Sequence, residues 1–140
     1  ALNASLKKIC NYEIPLSDHY TVFNGTPTRV KLSKLIDRKI IPLGSAEKVY
    51  DLKQQLTVDI INEKAQYRIE KVEMINFLKN KGCHVACFTN SIRETALLML
   101  KKTGVLSLLD CVITNEDVEF PKPDPEGYNF LVNKWQIQIR

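Results

Sequence analysis

The chain has 140 residues, 44% hydrophobic and 26% charged, with five Gly and six Pro, an ordinary globular composition that excludes collagen-like and disordered classes. A chain this long buries roughly 68% of the surface its unfolded form exposes, so a core forms without disulfides or a structural metal. The longest uncharged runs, such as Ala96 to Leu100 and Gly104 to Leu109, fall short of the ~18 apolar residues of a membrane span, and the amino terminus lacks the apolar stretch of a secretory signal. A soluble, cytoplasmic protein with no membrane partner is expected. The 20 Lys and Arg exceed the 16 Asp and Glu by four, but they are dispersed and no basic and aromatic stripe accompanies them, so nucleic acid is not an expected partner.

In chain order, the first half predicts helices. Leu2, Leu6 and Ile9 recur near the helical period in Ala1 to Cys10, Pro15 closes that segment, and Ser17 with Asp18 offers a cap for the next. Val30, Leu32, Leu35 and Ile36 continue after a break at Asn24, Gly25 and Pro27, and a second break falls at Pro42 to Gly44. Val49, Leu52, Leu56 and Ile60 then mark one stripe of a long helix. Residues 1–65 are expected to form an all-helical unit.

The texture changes after about Gln66. Val72, Ile75 and Leu78 predict a helix stopped by Gly82 after a basic last turn. Cys83 to Thr89 is a short apolar run without alternation, which predicts a strand buried on both faces of a parallel sheet. Ser91 with Glu94 forms a capping box ahead of Ala96, Leu97 and Leu100, and Gly104 ends that helix. Asp110 to Thr114 predicts a second buried strand, and Pro125 opens a helix through Trp135. Strand, helix, strand, helix argues a parallel α/β core over residues 66–140. Cys10, Cys83, Cys87 and Cys111 are expected as reduced thiols, mostly buried. On a strand, Cys83 and Cys87 share one face while His84 points to the other, so this trio is not expected to hold zinc.

Two features carry chemistry. Phe88-Thr89-Asn90-Ser91 ends a strand and leads into a helix, and in open α/β sheets ligands bind at strand carboxyl ends, where helix N–H groups favour an anion such as phosphate. Capping alone accounts for Ser91. In Pro121-Lys122-Pro123-Asp124-Pro125, flanking prolines stiffen the backbone around one lysine, which fits either a surface turn or an ammonium held to neutralise a phosphoryl group.

Together, CHVACFTNSIRETALLMLKKTGV and ITNEDVEFPKPDPEGY, with 33 positions from Thr89 to Lys122, resemble the second and third motifs of the haloacid dehalogenase superfamily. The amino-terminal half resembles that superfamily's helical cap, with Phe23 to Pro27 near its substrate-facing loop. The resemblance implies a partial Rossmann-like core over 66–140 beneath an all-helical cap over 1–65, and a phosphatase or sugar phosphomutase working on a small phosphorylated substrate through an aspartyl-phosphate with Mg²⁺. It implies that Thr89 and the Asn90 backbone bind a phosphoryl oxygen and that Lys122 balances its charge. Arg29, four residues past Gly25, either touches the remote end of the substrate or is a solvated helix charge. Two positions depart from the pattern: Pro121 replaces the usual Gly before the lysine, and Glu70-Lys71-Val72 stands where Pro-Gly-Val is common. The Asp-x-Asp nucleophile motif and the fourth-motif carboxylates are not found, since none of Asp18, Asp117 and Asp124 ends an apolar strand, so no metal ligand is assigned. The expectation is an internal fragment, inactive alone, whose partners include the missing parts of its own chain. A 2-haloacid dehalogenase and a non-catalytic phosphate-binding or regulatory protein are the alternatives.

Overall fold

Helix α1 (Leu2–Cys10) stops because Asn11 turns left-handed, at φ 50° and ψ 36°, and donates its N–H to the Lys7 carbonyl at 3.1 Å. This computed structural model describes residues 1–137; the last three positions of the expected 66–140 core lie outside the described residues. Two compact units divide at Glu63 and Lys64.

The first unit contains α1, α2 (Leu16–Thr21), α3 (Thr28–Asp37) and nearly all of α4 (Ala46–Lys64). Pro15, not Ser17 or Asp18, stands at the start of α2. A proline there loses nothing, because its missing N–H has no helical partner in the first turn. The residue before it is fixed from α1: the Asn3 amide accepts the Ile14 N–H at 3.1 Å and donates to the Ile14 carbonyl at 3.0 Å. That clamp holds Ile14 in a core completed by Leu6, Phe23, Leu32, Leu35, Ile41 and Val49. Along α4 the expected stripe reaches the core only at Val49. Leu52 and Leu56 are half-buried and Ile60 is 41% exposed, whereas Ile61 is buried. Length accounts for the difference. At ~1.5 Å per residue the 19-residue α4 runs about 28 Å, twice what the 9- and 10-residue α1 and α3 can cover.

The second unit contains α5 (Ile69–Asn80), β1 (Ala86–Phe88), α6 (Arg93–Lys102), β2 (Cys111–Ile113) and α7 (Glu126–Lys134). Gly82 at φ 80° and Gly104 at φ 81° are the left-handed stops after α5 and α6. At Gly104 an added Cβ would also lie 2.1 Å from the Tyr67 ring, which would have to move aside. Strands β1 and β2 pair in parallel, Ala86 with Cys111 through Phe88 with Ile113, with α6 as the crossover. The core is thus a parallel α/β arrangement. The ladder extends one residue each way through Asp110 N–H to the Val85 carbonyl at 2.8 Å and Thr89 N–H to the Ile113 carbonyl at 2.9 Å. Contrary to the expectation of full burial, all three β1 residues are half-buried. Among the described residues the sheet has two strands. The thiols follow the same correction: Cys10, Cys87 and Cys111 are half-buried and Cys83 is exposed. His84, off the strand, stacks on Trp135 at 4.8 Å between ring centroids.

Candidate functional site

The carboxyl end of β1 carries Thr89 and Asn90, and the Pro121–Pro125 segment returns to it. The Asn90 amide makes a two-point clamp on Lys122: its Oδ1 accepts the Lys122 N–H and its Nδ2 donates to the Lys122 carbonyl, both at 2.9 Å. The Lys122 ammonium in turn donates to the Phe88 carbonyl at 2.7 Å and lies 5.2 Å from the centroid of the Phe88 ring, within cation–π range. Thr89 Oγ1 accepts the Ser91 N–H at 3.1 Å, which leaves the hydroxyl proton available to an acceptor. Lys122, Thr89 and Asn90 therefore meet at one strand end, all half-buried. An ammonium with three N–H groups, one committed to Phe88, can also serve an anion. Its charge is felt by Cys87, whose thiol is pushed up by burial and partly held back by Lys122.

The loop after β2 builds the rest of this region. Asp117 accepts the Thr114 N–H at 2.8 Å and the Thr114 hydroxyl at 2.7 Å and pairs with Arg93. The Thr114 hydroxyl bond, then the Thr114 N–H and Arg93, hold the Asp117 carboxyl below the usual range. Glu116 Oε2 accepts the Arg93 N–H at 3.0 Å at the first residue of α6. The expected Ser91 capping box does not form: Ile92 occupies the cap position, and the acid comes from a loop 23 residues away. Glu126, in the first turn of α7, accepts the Glu119 and Phe120 N–H groups at 3.0 and 2.7 Å, and Asp124 accepts the Glu126 N–H at 2.9 Å.

Arg29 belongs to the first unit. It pairs with Glu47 at 2.6 Å and lies 4.1 Å from the Tyr50 ring centroid; the Glu47 bond holds it above its ordinary value. Both ends of the ion pair are well exposed, and they border a shallow cavity of about 230 Å³ with Leu32, Ser33, Ile36 and Tyr50. Sequence reasoning missed Phe88 as the seat of the ammonium, the side-chain role of Asn90, and Gly127. The last carried a signal, since an isolated glycine inside a helix points to close packing. Among the described residues no group of three or more His, Cys, Asp or Glu is placed to hold a metal ion.

A parallel βαβ unit with a threonine and a buttressed lysine at its strand end stands where open α/β sheets bind their ligands. The profile of the haloacid dehalogenase-like hydrolase family matches residues 1–140, and the chain belongs to that family. Pyrophosphatase PpaX of Bacillus velezensis is 41% identical over 62 residues, covering 44% of this chain and 29% of that protein. Validoxylamine A 7'-phosphate phosphatase of Streptomyces hygroscopicus subsp. limoneus is 38% identical over 67 residues, 48% of this chain and 32% of that protein. The matches thus span about three tenths of these relatives. A Thermotoga maritima protein assigned as a beta-phosphoglucomutase shares the fold, with a TM-score of 0.58 at 19% identity over 98% of this chain and 62% of its own.

Proposed function

We propose that this chain supplies the phosphate-handling part of a phosphatase or sugar phosphomutase acting on a small phosphorylated metabolite through an aspartyl-phosphate. The observation that carries the reading is the Lys122 ammonium on the Phe88 carbonyl, one residue before Thr89, with its backbone clamped by Asn90. In this reading the Thr89 hydroxyl donates to a phosphoryl oxygen, Asn90 is the second contact, and Lys122 offsets the charge that builds on the group in flight. In the same reading residues 1–65 are the helical cap and residues 66–140 the core, with Arg29 a candidate substrate contact. Glu47 and Tyr50 hold its guanidinium in a defined place, as a specificity contact requires. The names of the pyrophosphatase and phosphatase relatives support phosphate over haloacid as substrate. A cytoplasmic location is part of the reading, supported by four free thiols. Mg²⁺ belongs to this reading as the cofactor of the intact parent, and no step here is routed through it.

The test is Lys122→Ala in an enzyme that also carries the nucleophilic Asp. A fall in kcat of roughly 10²-fold or more is expected for losing a preorganised charge. A change within about threefold, under ~1 kcal/mol, would make Lys122 a surface turn residue and end this reading. In the 140-residue chain itself, inorganic phosphate should shift the Thr89 resonances of the wild type and not those of the Lys122→Ala variant.

A further inference from the structure

Gly127 is buried in the first turn of α7, and a Cβ there would fall 2.5, 2.6 and 2.8 Å from three carbons of the Phe88 ring. Those separations are far inside van der Waals contact, so the ring rests directly on helix backbone. On another side it meets the Tyr128 ring edge-on at 5.1 Å. The Lys122 ammonium lies against it too, at 5.2 Å from its centroid. A methyl group on α7 must therefore displace the ring, whose other neighbours are Tyr128 and the ammonium. The segment between is tied at both ends, to Asn90 at Lys122 and to Glu126 at Glu119 and Phe120, so it cannot follow the ring freely.

We propose that Gly127 is a positioning residue: by letting α7 backbone lie against the Phe88 ring, it fixes where the Lys122 ammonium stands at the end of β1. The proposal rests on reading Lys122 as the phosphate-facing cation, and it makes the absence of a side chain at position 127 a requirement of that function. Phe88 is then the transmitting element, touching the lysine with its carbonyl and its ring, and the helix with its ring alone.

The experiment uses the full chain without phosphate and reads the iodoacetamide alkylation rate of Cys87 at pH 8 by peptide mass spectrometry. Lys122→Met sets the rate with the cation gone, expected about threefold slower because the thiolate loses a nearby positive charge. Gly127→Ala should slow Cys87 toward that value, whereas mere loosening of the fold would expose the thiol and speed it. Gly127→Ala combined with Phe88→Leu, in which a smaller side chain makes room for the methyl while the residue 88 carbonyl can still accept the ammonium, should react faster than Gly127→Ala alone. A wild-type or faster rate in Gly127→Ala, or a double variant as slow as the single, overturns the proposal. If Gly127→Ala does not fold, the double variant must fold and react faster than Lys122→Met; failure on either count also overturns it. The outcome is separable from the functional reading, because a positioned ammonium that gives no response to added inorganic phosphate refutes the phosphate role and leaves the positioning intact.

Discussion

Removing the Asn90 side chain should destabilise the second unit by about 2–3 kcal/mol. Asn90→Ala deletes two hydrogen bonds of 2.9 Å that join positions 32 residues apart. Each contributes about 0.5–1.5 kcal/mol net, and the half-buried Lys122 N–H and carbonyl lose their protein partner and are satisfied only as far as water reaches them. For a unit of roughly 75 residues this corresponds to a fall in Tm of about 10–20 °C. Trp135 is the single tryptophan and stacks on His84 in the same unit, so its fluorescence in urea follows this transition. Asn90→Asp makes the argument specific. It keeps an acceptor for the Lys122 N–H but loses the donor to the Lys122 carbonyl, and should lie between Ala and wild type. A loss below about 0.5 kcal/mol for Asn90→Ala would show that the lysine segment is held in place without the clamp.

Three further outcomes are expected. Asp117 has a depressed folded-state carboxyl, so its contribution is present above the ordinary Asp value of about 3.9 and is lost as pH falls through the lower folded value; urea titrations should show a wild-type advantage over Asp117→Asn that is level above about pH 5 and closes in acid, and a gap independent of pH refutes the assignment. Phe23→Ala, at a fully buried core position, should cost about 3–5 kcal/mol in urea denaturation followed by circular dichroism, and a cost under about 1 kcal/mol would place the first unit's stability elsewhere. The 140-residue chain should not hydrolyse p-nitrophenyl phosphate with Mg²⁺, because Asp117 is committed to Thr114 and Arg93, Asp124 to the start of α7, and Asp18 to the Ser17 hydroxyl; turnover that survives purification and is abolished by EDTA would contradict this.

Element types and order were legible in the sequence where local chemistry decides them. Gly82 and Gly104 stop helices because both need positive φ, and the apolar runs at 86–88 and 111–113 became parallel strands flanking α6. Helix starts were less legible. Ser91 with Glu94 has the letters of a capping box, yet Glu116 supplies the carboxylate to the Arg93 N–H, since the fold brings an acid from beyond β2 to the same orphan donors. Burial along α4 was misread for a related reason: periodicity says which residues share a face, and only the lengths of the neighbouring helices say how far that face is covered.

The site divides along the same line. Thr89, Asn90 and Lys122 were legible as a group because a strand end followed by a helix, and a lysine between prolines, are local features. How the lysine is held was not, because that depends on contacts 32 and 34 residues apart. The molecule uses one device for such contacts in both units. Asn3 grips both backbone groups of Ile14, and Asn90 grips both of Lys122, the first across 11 residues and the second across 32. A primary amide suits this task because it offers a donor and an acceptor side by side, one for the carbonyl and one for the N–H of a single residue. Neither clamped position pairs in a ladder here. Each stands beside a proline, Ile14 before Pro15 and Lys122 between Pro121 and Pro123, so backbone groups that regular structure would satisfy need a side-chain partner instead. An asparagine whose partner segment carries prolines is therefore the pattern to seek when tracing how a rigid but irregular loop is fastened to a strand end.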